Sequence, residues 1–311
     1  MLRLSILESS LHHRSFRTSI TIVNTVLTHI TVRANNNIFI RTPAGIDYGH
    51  PAFLNADGTS RIYSIWDQTI PIENMKSGRI PDGFLFGAEY LRSNINEALM
   101  SDNPKNIVPS VDTNGHGTFL AGVAAASETA DYIGAAPEAE ILMVKLKPAK
   151  KYLRDFYLLP EQVEAYSETD MMMGVRFLQQ YAIREKKPLV ICVGLGTASG
   201  SRTGALPFAD LLNTLARQVN TVVVTCTGNE ANNRTHTSGL AVSDTEPSEI
   251  EITVGADERG FVMEIWAESL DILSVAITSP SGERISRIPA RIDTGGVYNF
   301  LLERSQVAVN Y

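Results

Sequence analysis

The chain has 311 residues, 44% hydrophobic and 20% charged, enough to bury a large core and to build one big domain with part of a second. Its formal charge of -7 argues against a nucleic-acid partner, because phosphate binding rests on clustered Lys and Arg that the sequence does not show, and nothing in it favours an anionic membrane surface. The two cysteines, Cys192 and Cys226, sit in apolar strand-like runs, which points to buried reduced thiols and an intracellular compartment rather than to a disulfide framework.

Residues 1–43 form an atypical opening segment. Up to Ile46 the chain carries five Arg, no Lys, no Asp and a single Glu, whereas everything after is acidic and contains Lys. Three readings stay open for it: a transit peptide, an ordinary variable segment, or a stretch out of frame. Against the first, there is no clear amphipathic helix, and Ile22 to Thr28 is strand-like; its apolar stretches are too short to cross a bilayer. Further on, Asn55-Ala56-Asp57-Gly58 has the residues of a tight turn, and turn chemistry accounts for them without a metal ion.

The run Asn114-Gly115-His116-Gly117-Thr118 places a histidine between two glycines at the mouth of a small-residue helix. Glycine on either side lets a substrate backbone approach closely. Leu120, Val123 and Ala124 recur at helical spacing among Ala121, Gly122, Ala125 and Ala126, which predicts a helix buried all round.

Three β-branched, apolar runs then read as buried parallel strands: Ala139 to Lys145, Leu189 to Val193 and Thr221 to Thr225. Between them, Met171, Val175, Leu178 and Ala182 mark an amphipathic helix that Pro188 stops, with the Met171 to Met173 triplet as core filler. Leu211, Leu212, Leu215, Ala216 and Val219 mark a second. Strand, helix, strand, helix, strand implies right-handed crossovers and a parallel sheet with helices on both faces. Working groups gather at the carboxyl ends of such strands, where Gly194-Leu195-Gly196-Thr197 and Thr227-Gly228-Asn229-Glu230 fall. The glycines at 194, 196, 200 and 204 do not form a dinucleotide fingerprint. Residues 44–248 are therefore one α/β domain. From 249 to 311 short alternating runs and turn signals predict the start of an antiparallel β-sandwich, with too few strands to close two packed sheets.

Gly115-His116-Gly117-Thr118, Gly194-Leu195-Gly196 and Gly228-Asn229-Glu230, in this order, resemble the subtilisin-like serine peptidases. Gly45-Ile46-Asp47-Tyr48, His50-Pro51-Ala52-Phe53, Ser64-Ile65-Trp66-Asp67-Gln68-Thr69, Ile95-Asn96-Glu97-Ala98-Leu99 and the β-rich stretch after Asn229 are similar to the clostridial germination-type branch, which carries a jelly-roll-like insert before the nucleophile. The resemblance implies proteolysis of a peptide or protein substrate; no cofactor and no metal is assigned. His116 would be the general base, Asn229 the oxyanion donor, and Gly194, Leu195 and Gly196 the segment that pairs with a peptide as an added strand. Asp112 fits the pattern near the substrate pocket.

Two departures set this chain apart. Pro43 stands where the orienting Asp of the triad belongs, and Asp47, four residues on, belongs to the same motif without replacing it. No Gly-Thr-Ser follows Asn229, so the triad Ser is absent; Gly58-Thr59-Ser60 precedes His116 and opens no helix. Ser199, Ser201 and Ser238 lack the turn-to-helix setting of a nucleophile. In subtilisin, losing the Asp alone costs about 3 × 10⁴ in turnover and losing the Ser about 2 × 10⁶. The expectation is an incomplete serine endopeptidase, inactive as this chain and located in the cytoplasm or the spore. The alternatives are a pseudoprotease that binds peptides or a protein partner in spore germination, and a non-functional fragment.

Overall fold

In a computed structural model, the described residues are 2–8, 18–22, 38–42, 45–197, 199–201, 203–228, 233–239, 247–255, 258, 260–267, 271–291 and 295–311. Along the chain run β1 (Leu2–Glu8), β2 (Thr18–Ile22), β3 (Ile38–Thr42), β4 (Ile62–Asp67), β5 (Ala88–Leu91), α1 (Arg92–Leu99) and α2 (His116–Ala125). Next come β6 (Ile141–Lys145), α3 (Lys151–Phe156), α4 (Glu168–Glu185), β7 (Leu189–Val193), α5 (Pro207–Ala216) and β8 (Thr221–Thr225). The rest is strand: β9 (His236–Gly239), β10 (Ser248–Ile252), β11 (Met263–Trp266), β12 (Leu273–Thr278), β13 (Arg284–Ile288), β14 (Gly296–Phe300) and β15 (Ser305–Val309). Among the described residues no helix is long and apolar enough to cross a membrane.

The chain divides into two compact units. One holds residues 25–197 and 204–231, the other residues 1–24, 198–203 and 232–311. Of the strands in residues 1–43, β1 and β2 belong to one unit and β3 to the other.

The first unit is built on a six-stranded sheet in the order β5-β4-β6-β3-β7-β8, parallel except for the edge pair β4–β5. Alternation along β6 shows why helices cover both faces: Ile141 and Met143 join a core cluster with Ile95 and Ala98 of α1 and Ala121 and Ala125 of α2, whereas Leu142 and Val144 join one with Val175 and Leu178 of α4 and Leu212 and Leu215 of α5. At the centre of the second cluster Trp66 is fully buried, its ring centroid 4.5 Å from Phe84 and 5.1 Å from Phe177. Helix α4 starts with Glu168 and Asp170 in its first turn, where carboxylates favour the helix dipole, and ends at Lys186 in the left-handed region (φ 54°) two residues before Pro188.

Three expectations are corrected. Strand β8 is not buried, with Val222 at 45% exposure, because it is the last strand in the order and is covered less than its neighbours. Helix α5 ends at Ala216, so Val219 lies beyond it and is 89% exposed. Helix α2 is buried only along Gly117, Ala121 and Ala125; Phe119, on another side, is 57% exposed.

The second unit is antiparallel throughout: a four-stranded sheet β10-β1-β12-β13, a three-stranded sheet β11-β2-β9 and the hairpin β14-β15. One apolar cluster joins them, with Leu4, Ile252, Val275, Ile277, Ile285, Ile288 and Phe300 buried and Met263, Ile265 and Val307 packed against it.

Candidate active site

Helix α2 begins at His116 itself, and its start is shaped by a neighbour rather than by its own cap residue. Gly115 precedes the helix with φ 80°, a conformation that costs a residue with a Cβ about 1–2 kcal/mol. Asp112 then satisfies the open backbone donors of the first turn. Its Oδ1 accepts from Gly115 N at 2.9 Å, and its Oδ2 from Thr118 N at 2.8 Å and Thr118 Oγ1 at 2.6 Å. Asn114 Oδ1 accepts from His116 N at 2.9 Å. Replacing Asp112 by Ala is expected to destabilise the domain by about 1–2 kcal/mol in urea unfolding, as loss of a helix cap does. The same variant is expected to shift the ring nitrogen resonances of His116, a signal that a purely surface role for Asp112 would leave in place.

The imidazole is half-buried, and its Nε2 lies 3.3 Å from the Gly194 carbonyl oxygen. A carbonyl only accepts, so this bond needs the proton on Nε2. Gly194 follows directly on β7, so this contact brings the strand-end loop to the histidine at the helix start. Glycine is required there for a packing reason as well: a Cβ on Gly194 would stand 2.2 Å from Leu120 Cδ1. A Cβ on Gly196 would stand 3.6 Å from Cys226 Sγ, which places the thiol beside the same loop. Burial pushes both thiols above their ordinary range, and for Cys192 the nearby Cys226 adds to this, so both remain protonated at neutral pH.

Asp47 is brought to α2 through its backbone: its N–H donates to Thr118 Oγ1 at 2.9 Å, while its Oδ1 accepts from Gly49 N at 3.1 Å and closes the 47–50 turn. The chain reaches Asp47 through Gly45, whose φ is 100° and where a Cβ would lie 2.7 Å from the Val111 carbonyl oxygen. That oxygen also accepts from Lys145 Nζ at 2.8 Å, and Lys145 faces Asp67 Oδ2 at 3.7 Å. Asp67 is 1% exposed and takes further hydrogen bonds from Ser110 Oγ at 2.7 Å, Thr69 N at 2.9 Å and Thr69 Oγ1 at 2.6 Å. A buried ion pair thus sits at the carboxyl ends of β4 and β6, under the loops that carry Asp47 and Asp112.

Sequence reasoning missed two neighbours of the histidine loop. Glu164 accepts from Asn114 Nδ2 at 3.2 Å and from the Tyr166 hydroxyl at 3.2 Å, and the Tyr166 phenol is pushed well above its ordinary range by burial and then by the Glu164 charge. The only local signal was Asn114, since Glu164 lies fifty positions along with no motif around it.

The serines fall elsewhere. Ser60 is fully buried and structural, its N–H donating to Asn96 Oδ1 at 2.8 Å and its Oγ accepting from Ile62 N. Asp57 Oδ1 accepts from Thr59 N and Oγ1, as a tight turn requires. Ser199, Ser201 and Ser238 belong to the antiparallel unit, where the Ser199 hydroxyl donates to Glu264. Pro43 and Asn229 lie outside the described residues.

A parallel α/β sheet with a Gly-His-Gly-Thr helix start facing a glycine loop at a neighbouring strand end defines a subtilisin-like peptidase domain. The model of the subtilase family, peptidase class S8, matches residues 44–287, and the chain belongs to that family. Among solved structures it is similar to the CspB protease of Clostridium perfringens, with 27% identity, a TM-score of 0.66 and 88% of this chain covered. The chain spans about half of that protein, 52% of its length. Sphericase also matches, at 17% identity and a TM-score of 0.35 over 64% of this chain and 48% of that one. A comparison with curated protein sequences gives no match.

Proposed function

We propose that this chain is the peptide-binding part of a subtilisin-like serine endopeptidase of the germination type, and that it is catalytically silent as it stands. The observation that carries the proposal is the orientation of His116. With its Nε2 hydrogen committed to the Gly194 carbonyl, the neutral ring accepts at Nδ1, the reverse of the tautomer that takes a proton from a serine hydroxyl. In an intact triad the Asp holds the ring in the productive tautomer; Pro43, which stands at that place in the motif, has no side-chain acceptor for Nδ1–H. Residues 230–311 contain no Gly-Thr-Ser, so the nucleophile motif is not among them.

In this reading Asn229 is the oxyanion donor, and Gly194, Leu195 and Gly196 receive an extended peptide beside His116. The 44–248 stretch is the catalytic-type domain and 249–311 belong to the insert. The likeness to a clostridial Csp protease supports the germination branch, and two free thiols support a cytoplasmic or spore setting. A pseudoprotease that engages a protein partner is the second reading; Pro43 at the position of the orienting Asp favours it, whereas the retained His116 and Asn229 count slightly against it.

A serine-directed fluorophosphonate separates silence from activity. No covalent adduct is expected by intact-mass measurement, in the chain or in its His116→Ala variant. An adduct that disappears in His116→Ala would overturn the proposal.

A further inference from the structure

The amino ends of β4 and β6 border a cavity of about 520 Å³, at the end of the sheet opposite the loops that carry His116 and Gly194. Arg61 lines it just before β4, Glu138 and Glu140 just before β6, Glu128 just beyond α2, Arg92 at the start of α1, and Asn55 in the turn before β4. Chain direction gathers these residues. β4 and β6 are parallel, α2 runs from His116 back to this end, and β5, antiparallel to β4, delivers α1 there. The volume lies within the range of about 300–1,000 Å³ that small-molecule sites occupy.

Two guanidinium groups on its wall lack what their charge and donors call for. Arg61 is only 6% exposed, yet its hydrogen-bond partners are all neutral: the carbonyls of Ala52, Ala125 and Ala139 and the Ser127 hydroxyl. Among the described residues it joins no ion pair. A guanidinium does not shed its proton in a protein, so this charge stays in the interior, where a counter-anion is worth most. Arg92 donates one terminal N–H to Glu140 Oε1 at 2.7 Å, and Glu140 is shared with Lys187. The Arg92 Nε is buried with no acceptor among the described residues, which leaves a donor to be met. At the outer side the sign reverses: Glu128 and Glu138 are exposed and enter no ion pair among the described residues. From this arrangement we propose that the cavity binds a small molecule with a carboxylate at one end and a cation at the other, of the class of a basic amino acid. The carboxylate meets the Arg92 Nε–H and the Arg61 charge, and the cation meets Glu128 and Glu138. The two exposed acids also select against phosphates and dicarboxylates, which the arginines alone would attract. The site is remote from His116, and this inference is independent of the catalytic reading.

Titration calorimetry of the full chain with Nα-acetyl-L-lysine tests it, because that probe has one carboxylate and one cation. Saturable binding is expected. It should weaken at least about tenfold for Nα-acetyl-L-lysinamide, which lacks the carboxylate, and about threefold to fivefold for Nα-acetyl-L-norleucine, which lacks the cation. Two variants place the site. Arg92→Lys keeps a charge toward Glu140 and removes the Nε donor, for an expected loss of about tenfold. Glu138→Gln removes one exposed acid, for an expected loss of about threefold. Neither side chain is buried, so both variants keep the fold, which circular dichroism checks. The Arg92 Nε–H resonance is expected to shift as the probe binds. No saturable binding of Nα-acetyl-L-lysine, equal binding of all three probes, or binding that neither variant weakens overturns the proposal.

Discussion

Replacing Asp67 by Ala is expected to destabilise the α/β unit by about 3–5 kcal/mol, the usual consequence of removing one partner from a buried ion pair. Asp67 has 1% of its surface exposed and Lys145 8%, so the cation left behind would keep the Val111 carbonyl as its hydrogen-bond acceptor and gain little water. Ser110 and Thr69 would lose their common acceptor in the same step. The comparison that isolates the charge effect is a double-mutant cycle with Lys145→Met, followed by circular dichroism in urea. The double variant is expected to be less destabilised than the sum of the single ones by at least about 1 kcal/mol, because neither charge is then left unpaired. Strict additivity would show that the pair is not coupled.

Gly45→Ala is expected to cost about 2–4 kcal/mol and to lower the Tm by about 4–16 °C. Two terms add there: the φ of 100°, which side chains rarely adopt, and a Cβ placed 2.7 Å from the Val111 oxygen and 3.1 Å from Lys145 Cδ. Val111 O is backbone and already holds Lys145 Nζ, so relief of the clash would loosen the same ion pair from the other side. Gly58→Ala is the control, since Gly58 has φ 81° with nothing within 4 Å of the added carbon. It should cost only the conformational term, about 1–2 kcal/mol. Equal losses at both positions would mean that the contact with Val111 contributes nothing.

Much of the parallel sheet was legible because each strand carries its own signal. Leu189–Val193 and Thr221–Thr225 are found with the expected bounds, and Met171, Val175, Leu178 and Ala182 lie on one helix. The meeting of His116 with Gly194 was legible only through the resemblance to subtilisin-like peptidases, which sets both motifs in one site; the strand-end rule on its own placed the loop at 194–197 and not the histidine. What failed were statements about surroundings. Composition cannot tell an edge strand from a central one, so β8 read as buried, and a run of small residues around Phe119 read as enclosed on every side. The Asp67–Lys145 pair had a faint signal, a charged residue closing each of two otherwise apolar strands, but their adjacency comes from strand order alone. Hardest to see were β1 and β2. Their odd composition set them apart, whereas their partners start at His236, and no local pattern reports pairing across such a distance.

The aromatic cluster around Trp66 has a practical consequence. The chain has two tryptophans, and the structure gives one to each compact unit: Trp66 in the parallel one, Trp266 in the antiparallel one with its indole N–H donating to Glu264 at 3.0 Å. Each unit therefore carries its own intrinsic fluorophore. The first sits in a fully dry aromatic nest and the second beside a carboxylate, so their emission bands differ in position and in accessibility to iodide. Replacing either by phenylalanine leaves a single optical reporter, and the unfolding of the two halves can be followed separately in one cuvette.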